Sequence, residues 1–385
     1  MNSRSVAIVV GTRPEVIKMA PIYFALEASS KLKPIMISTG QHREMLDQAL
    51  RAFGISPDVD LGLMQSGQTL PDLTSRVMTA VTTIFSRLKP AAVLLQGDTT
   101  TVLASGLAAF YQGIPIAHIE AGLRTHNMMS PFPEEMNRRL ISPLSQWNFC
   151  PTDLSKINLL KEGIPENLCH LTGNTVIDSL LWVRAKVAGT AQSAEQVGIR
   201  LGLATEFIER FLAQPKAKWL LVTGHRRESF GGGLERICYA INQITSAFPD
   251  IGILYPVHLN PNVQEPVRRI LGLNQRVALV RPASYEDFIW LMDRCTFVIS
   301  DSGGVQEEAP SLGKPVLVLR ETTERPEGID AGTCRLVGTD PSLILREASI
   351  LLTDLNEYKR RSSLKNPYGD GKSGARIVAQ LENDL

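Results

Sequence analysis

Nowhere in the 385-residue chain does an apolar run approach the roughly 18–20 residues that a membrane-spanning helix needs. A signal peptide is not expected either. The short apolar run Val6–Val10 leads straight into Gly11-Thr12-Arg13-Pro14 and reads as a first strand. The five Cys, at 150, 169, 238, 295 and 334, form no C-x-x-C, and most lie in or beside apolar runs. Buried thiols in a reducing cytoplasm are therefore expected, not disulfides. The six His show no paired ligand spacing, so no metal is expected. Neither sign of charge is in excess: Lys+Arg 40 against Asp+Glu 39 leaves +1. That argues against a general grip on nucleic acid or an anionic membrane, but leaves room for one local basic pocket for a small anion.

Three catalytic signatures are also missing. No G-x-G-x-x-G follows the first strand, which disfavours a nicotinamide redox cofactor. Gly371-Lys372-Ser373 looks like the end of a P-loop, but position 366 is Asn and no strand precedes it. No G-x-S-x-G elbow appears, which weakens a serine hydrolase.

What is present is a chain with 44% hydrophobic and 21% charged residues, enough to bury a full core. Its length suits two domains, or three. Short β-rich runs alternate with helical stretches such as Pro14–Ala28, Thr100–Gln112, Leu234–Ala247 and Tyr285–Asp293. One series of strands is predicted at Val6–Val10, Pro34–Ser38, Ala91–Gln96, Pro115–Ile119, Trp147–Cys150 and Asn167–Leu171. A second is predicted at Trp219–Thr223, Ile251–Val257, Arg276–Val280, Thr296–Ser300, Pro315–Leu319 and Thr333–Val337. The runs are continuously apolar, as parallel strands covered on both faces are. Alternating β and α then predicts doubly wound parallel sheets. Asp178 to Lys218 has helical composition without a convincing strand and reads as a connector between two Rossmann-like domains. Asn366–Ser373 is a turn-rich break before a last helix.

Ligands of open α/β sheets bind beyond the carboxyl ends of the strands. The residues just past the apolar runs are therefore the candidates: Gly11-Thr-Arg13, Gly97-Asp98, Glu120 to Arg124, Gly224-His225-Arg226-Arg227-Glu228, His258, Asp301 to Gly304, and Arg320 to Arg325. Both halves carry ionisable groups on that edge, and two facing edges would form a cleft. Gly303-Gly304 opens a helix whose free N–H groups and dipole favour phosphate, with Glu308 placed to accept from ribose hydroxyls; a tight turn with dipole-complementing acids is the plainer reading. Gly231-Gly232-Gly233 suits a second helix start or a flexible loop. Arg13 and Lys18 flank the first strand–helix turn, as an anion site or as a solvated basic face. His225 suits binding or protonating a phosphate leaving group, or a structural role. Asp98, Glu120 and Glu134 are the acid–base candidates. Asp98 also fits a helix cap, and Glu134 a first-turn acid. Glu120 directly follows an apolar strand and must find a partner or a cleft.

These residues sit in long strings that resemble a known family. They include Gly11-Thr-Arg-Pro-Glu-Val-Ile-Lys-Met-Ala-Pro21, Gln41-His-Arg-Glu-Met-Leu-Asp-Gln48, Gln96-Gly-Asp-Thr-Thr-Thr101 and Glu120-Ala-Gly-Leu-Arg-Thr125. Others are Pro133-Glu-Glu-Met-Asn-Arg138, Gly173-Asn-Thr-Val-Ile-Asp178, Gly224-His-Arg-Arg-Glu-Ser-Phe-Gly231 and Asp301-Ser-Gly-Gly-Val-Gln-Glu-Glu308. The sequence resembles, over nearly its whole length, the non-hydrolysing UDP-N-acetylglucosamine 2-epimerases of bacteria. The resemblance implies a GT-B-like fold of two Rossmann-like domains with an interdomain cleft. Residues 1–178 would form the first, with 366–385 crossing back to it, and 179–365 the second, UDP-binding one. It implies interconversion of UDP-GlcNAc and UDP-ManNAc in the cytoplasm, without a cofactor, by a homodimer. UDP would leave to give a bound glucal and then re-add.

By the same resemblance Asp98, Glu120 and Glu134 match the acid–base residues, and His225 the group assisting departure of UDP. Arg13 matches a phosphate-side residue and Lys18 a binding residue. Ser302, Gly303 and Gly304 match the diphosphate loop, Glu308 the ribose contact and Phe288 a uracil-side residue. Gln41, Glu134, Arg226 and His258 resemble an allosteric UDP-GlcNAc site of some relatives. Glu44 and Gly67 stand where the regulated relatives would carry Gln and Arg, which argues against direct activation. A hydrolysing epimerase and a GT-B glycosyltransferase are the rival readings.

Overall fold

The computed structural model describes all residues except 1–2, 41–42, 66, 191–192 and 225–230. The chain divides into two compact units, residues 1–179 with 368–385 and residues 180–367. The first unit holds β1 (Arg4–Val10), β2 (Leu32–Ser38), β3 (Val59–Asp60), β4 (Ala92–Gln96), β5 (Ile116–Ile119), β6 (Trp147–Cys150) and β7 (Cys169–Leu171). The second holds β8 (Lys218–Thr223), β9 (Ile251–Pro256), β10 (Val277–Val280), β11 (Val298–Ser300), β12 (Val316–Val318) and β13 (Cys334–Leu336). All twelve predicted strands are present, each end within two residues of its expected place. The unforeseen one is β3, whose two residues are too few to carry a periodic pattern.

The sheets run β3-β2-β1-β4-β5-β6-β7 and β10-β9-β8-β11-β12-β13, and the pairings are parallel. Their strands are buried on both faces, with Val6–Val10, Ala92–Leu95, Leu220–Val222 and Val298–Ile299 at 1% exposure or less. Strand order reverses between β1 and β4, which pair through Val6 and Ala92, and between β8 and β11, which pair through Val222 and Ile299. In doubly wound sheets such reversals are where the connections part and leave room for a ligand. The turns after β1 and β4 carry Gly11–Arg13 and Gly97–Thr99, and those after β8 and β11 carry Gly224 and Asp301–Gly304.

One expectation is corrected. From Leu180 on, the stretch Asp178–Lys218 read as a connector belongs to the second unit. Ser193 caps the Ala194–Leu201 helix by accepting from the Gln196 N–H, and that helix buries Val197. Phe207, Ile208 and Phe211 are buried too. Phe211 lies so close over Gly252 of β9 that a Cβ there would stand 2.6 Å from the ring. Arg200 pairs with Asp287 at 2.6 Å. Its apolar residues fall at helical spacing, which shows a helix but not the surface that helix will cover. The last helix, Ser373–Asp384, belongs to the first unit: the Gly374 N–H donates to Asp178 Oδ1 at 2.8 Å, and the Trp147 indole N–H to Asp384 at 2.6 Å. No described helix is long and apolar enough to cross a membrane.

Candidate active site

In the first unit the polar residues after β1, β4 and β5 converge. The chain leaves β1 at Gly11, where a Cβ would meet the hydroxyls of Thr39 and Thr101 at 2.6 and 2.7 Å. Only glycine passes there. Thr12 then caps the Arg13–Ala28 helix in a capping box with Glu15. The Glu15 carboxylate, 1% exposed, accepts from the N–H groups of Gly11 at 2.6 Å and Thr12 at 2.8 Å. Its other oxygen accepts from the Thr99 hydroxyl at 2.6 Å, so it joins the turns after β1 and β4. Desolvation raises the Glu15 pKa against the pull of these donors.

Arg13, half-buried, begins this helix, and Lys18 follows on it. Lys18 Nζ sits 2.6 and 2.5 Å from the two carboxylate oxygens of Glu120, and Glu120 Oε2 also accepts from the Gln96 amide. Glu120 follows β5 with φ +65°, a backbone region that a non-glycine residue enters at a cost of about 1–3 kcal/mol. Its side chain is 4% exposed. Such strain persists only where the surroundings over-determine it, and here the partly buried cation of Lys18 and the Gln96 amide hold the carboxylate.

Asp98 follows β4, and Thr99, not Asp98, is the cap of the next helix, accepting from the Val102 N–H at 3.3 Å. The Asp98 carboxylate instead pairs with the buried Arg138 guanidinium. Arg138 in turn lies 3.3 Å from Glu135, one turn earlier on the Glu134–Ile141 helix. Asn137 of the same helix donates to the Asp98 carbonyl at 2.8 Å. Desolvation raises the Asp98 pKa; Arg138 opposes it, and the neighbouring Glu120 carboxylate adds to it. Asp98 and Glu120 are therefore two carboxylates on adjacent strand ends, each held by its own cation. Glu134 opens the helix that supplies Arg138, and its half-buried carboxylate has no hydrogen bond or ion pair among the described residues.

In the second unit the Ser302 N–H donates to Ser300 Oγ at 3.0 Å, and Gly303 opens the next helix. A Cβ on Gly303 would stand 2.5 Å from the Arg325 guanidinium carbon, so Arg325 lies against that glycine. Arg325 is held by Glu307 at 2.6 Å and Glu324 at 2.5 Å. Glu308 is buried and accepts from the Tyr285 hydroxyl at 2.7 Å. Phe288 is half-buried on the helix that Tyr285 begins. His258 is exposed, and its Nδ1 accepts from the Asn260 N–H at 3.1 Å. His225, Arg226 and Gln41 lie outside the described residues.

The family model for UDP-N-acetylglucosamine 2-epimerase matches residues 24–382. A UDP-N-acetylglucosamine 2-epimerase of Escherichia coli strain K12 is 52% identical over 379 residues, 98% of each chain. This chain belongs to the UDP-N-acetylglucosamine 2-epimerase family. The crystal structure of the Neisseria meningitidis UDP-GlcNAc 2-epimerase bound to UDP-GlcNAc superposes with a TM-score of 0.89 at 45% identity, covering 98% of this chain and 100% of that one. The Methanocaldococcus jannaschii enzyme, in complex with UDP-GlcNAc and UDP, gives 0.80 at 31% identity, covering 98% and 99%. The GT-B-like fold implied by the resemblance is the fold of the chain.

Within this epimerase-family chain, sequence reasoning named Asp98, Glu120 and Lys18 but missed what holds them. Arg138 and Glu135 were visible as an oppositely charged i,i+3 pair. Glu15 was visible as the fourth residue of a capping box, although its reach to Thr99 was not. Gln96 ends β4 without a local pattern that marks it, whereas Arg325 closes the charged run after β12 that was already a candidate, although its place on Gly303 was not legible.

Proposed function

We propose that this chain interconverts UDP-GlcNAc and UDP-ManNAc by inverting C2 of the sugar. One carboxylate takes the C2 proton; the C–H electron pair becomes the C1–C2 double bond, and the C1–O bond breaks toward the diphosphate. Protonation at C2 from the opposite face and return of UDP to C1 complete the inversion. The observation that carries this reading is the pair Asp98 and Glu120, two cation-held carboxylates on neighbouring strand ends of a chain in this family. A reaction that removes a proton from one face and returns one to the other needs two such groups.

Asp98, Glu120 and Glu134 are the proposed acid–base set. Lys18, 2.5 Å from Glu120, fixes that carboxylate and the charge it works against. Arg13 and the loop Ser302, Gly303 and Gly304 are proposed to hold the diphosphate, where negative charge develops as UDP leaves. Arg325, packed on Gly303 and paired with Glu307 and Glu324, fixes the position of that loop. Glu308, held by Tyr285, is proposed for the ribose and Phe288 for the uracil. His225 is proposed to assist the leaving diphosphate on the sequence match alone. A homodimer in the cytoplasm belongs to the same reading, and light scattering at twice the 42.3 kDa chain mass checks the first.

Proton NMR of UDP-GlcNAc with the protein in D2O, with no cofactor added, tests the reaction. UDP-ManNAc carrying deuterium at C2 is expected. Free ManNAc with stoichiometric UDP would point to a hydrolysing epimerase. No change despite UDP binding would favour a transferase.

A further inference from the structure

His118 lies on β5 with no exposed surface, and the reaction as proposed makes no use of it. Its Nε2 is 2.8 Å from the Gly97 carbonyl oxygen. A carbonyl only accepts, so Nε2 carries the hydrogen and the ring is the neutral Nε2–H tautomer. Burial agrees with neutrality, pushing the imidazole down to about 4. Nδ1 is then a buried acceptor, and it has no partner among the described residues. An imidazole with an unpaired buried nitrogen is a poorer strand core than Val or Ile. The one thing this side chain gives the fold that an aliphatic one would not is the bond to Gly97.

That bond acts on Asp98. Gly97 turns the chain out of β4 with φ +80°, and its N–H donates to the Ile119 carbonyl at 3.0 Å. With the His118 bond, both polar groups of Gly97 are tied to β5, the strand from which Glu120 emerges. The Asp98 carbonyl is tied to Asn137 and the Thr99 hydroxyl to Glu15. Three consecutive residues are thus pinned by side chains from three elements. We infer that His118 is a positioning residue which, by holding the Gly97 carbonyl, sets the peptide plane before Asp98 and so fixes Asp98 relative to Glu120.

The inference rests on the epimerase reading, and the test separates the two. His118→Met and His118→Gln are both unbranched and similar in volume, and only Gln keeps a donor near the Nε2 position. Displacing a catalytic group by about 1 Å can cost about 100-fold in rate. His118→Met is therefore expected to lose at least about 10-fold in kcat, with KM and the UDP dissociation constant within about threefold of wild type. His118→Gln is expected to recover kcat to within about threefold of wild type. Nitrogen-15 NMR of the wild-type imidazole is expected to show the Nε2–H tautomer, a readout that holds even if His118→Met does not fold. Wild-type kcat in folded His118→Met overturns the inference. So does a folded His118→Gln as slow as His118→Met, an equal loss of UDP affinity, or an Nδ1–H tautomer. A wild-type protein that binds UDP but does not epimerise UDP-GlcNAc would overturn the reaction reading itself.

Discussion

At Glu120 backbone and side chain are constrained together: φ is +65°, and both carboxylate oxygens are within 2.6 Å of Lys18 Nζ. The pair is nearly buried, so each member depends on the other for compensation of its charge. Glu120→Gln is expected to fold and to bind UDP while losing on the order of 10²–10⁴ in kcat, the range that a positioned proton-transfer group supplies. Steady-state turnover beside UDP titration calorimetry reads this, and near-wild-type turnover would remove Glu120 from the mechanism. His118 gives a second prediction, in pH. Its folded-state pKa, about 4, lies below the ordinary 6.5, so between those values the unfolded chain takes up a proton that the folded chain refuses. Stability from this group is complete above about pH 6.5 and is lost as pH falls toward 4, up to about 3 kcal/mol. Asp98 and Glu15, whose pKa values are raised, contribute with the opposite sign. The difference between wild type and His118→Gln isolates the histidine. Urea unfolding of both from pH 7 to 4 should show the wild type losing stability faster.

Among the elements, the last helix shows how much rests on a few buried contacts. Ser373–Asp384 meets the Arg13–Ala28 helix so closely that a Cβ on Gly374 would stand 3.0 Å from the Pro21 carbonyl. Asp178 accepts the Gly374 N–H, and desolvation raises the Asp178 pKa. Removing the acceptor leaves a buried N–H without a partner, at about 1–3 kcal/mol. Asp178→Ala should lower the urea midpoint accordingly. Asp178→Asn keeps an acceptor oxygen and sheds a desolvated charge, so it should stay within about 1 kcal/mol of wild type. Equal losses in the two would mean that the charge, not the hydrogen bond, docks the helix. The Arg13–Ala28 helix that receives it also carries Lys18, so loosening at Gly374 acts on the element that holds Glu120.

For the molecule as a whole, the five thiols report on both cores. Cys150, Cys169, Cys238, Cys295 and Cys334 are all buried and unpaired. Desolvation pushes Cys150, Cys238, Cys295 and Cys334 up to about 12, and raises Cys169. The thiolate is the reactive form, so native protein should show almost no reaction with a disulfide reagent near neutral pH, and all five thiols should react in guanidinium. Rapid reaction of any one thiol in the native protein would contradict its burial.

The sequence by itself determined the strands and where they end. Continuous apolar runs such as Ala91–Gln96 have no polar face to give to water, and the polar residues past seven of the twelve runs were already site candidates. The long strings around those residues also carried the family. Only the tertiary structure decided the order of the strands, which places β1 beside β4 and β8 beside β11. It also decided the pairings that follow from that order. Lys18 meets Glu120 across 102 positions of chain, and Arg138 meets Asp98 across 40. Asp178 to Lys218 read as a connector, yet its helices pack onto the second unit. Local periodicity records how a segment is solvated along its own length. Which distant partner a buried charge or ring finds depends on sheet order and helix packing, and no local pattern encodes that.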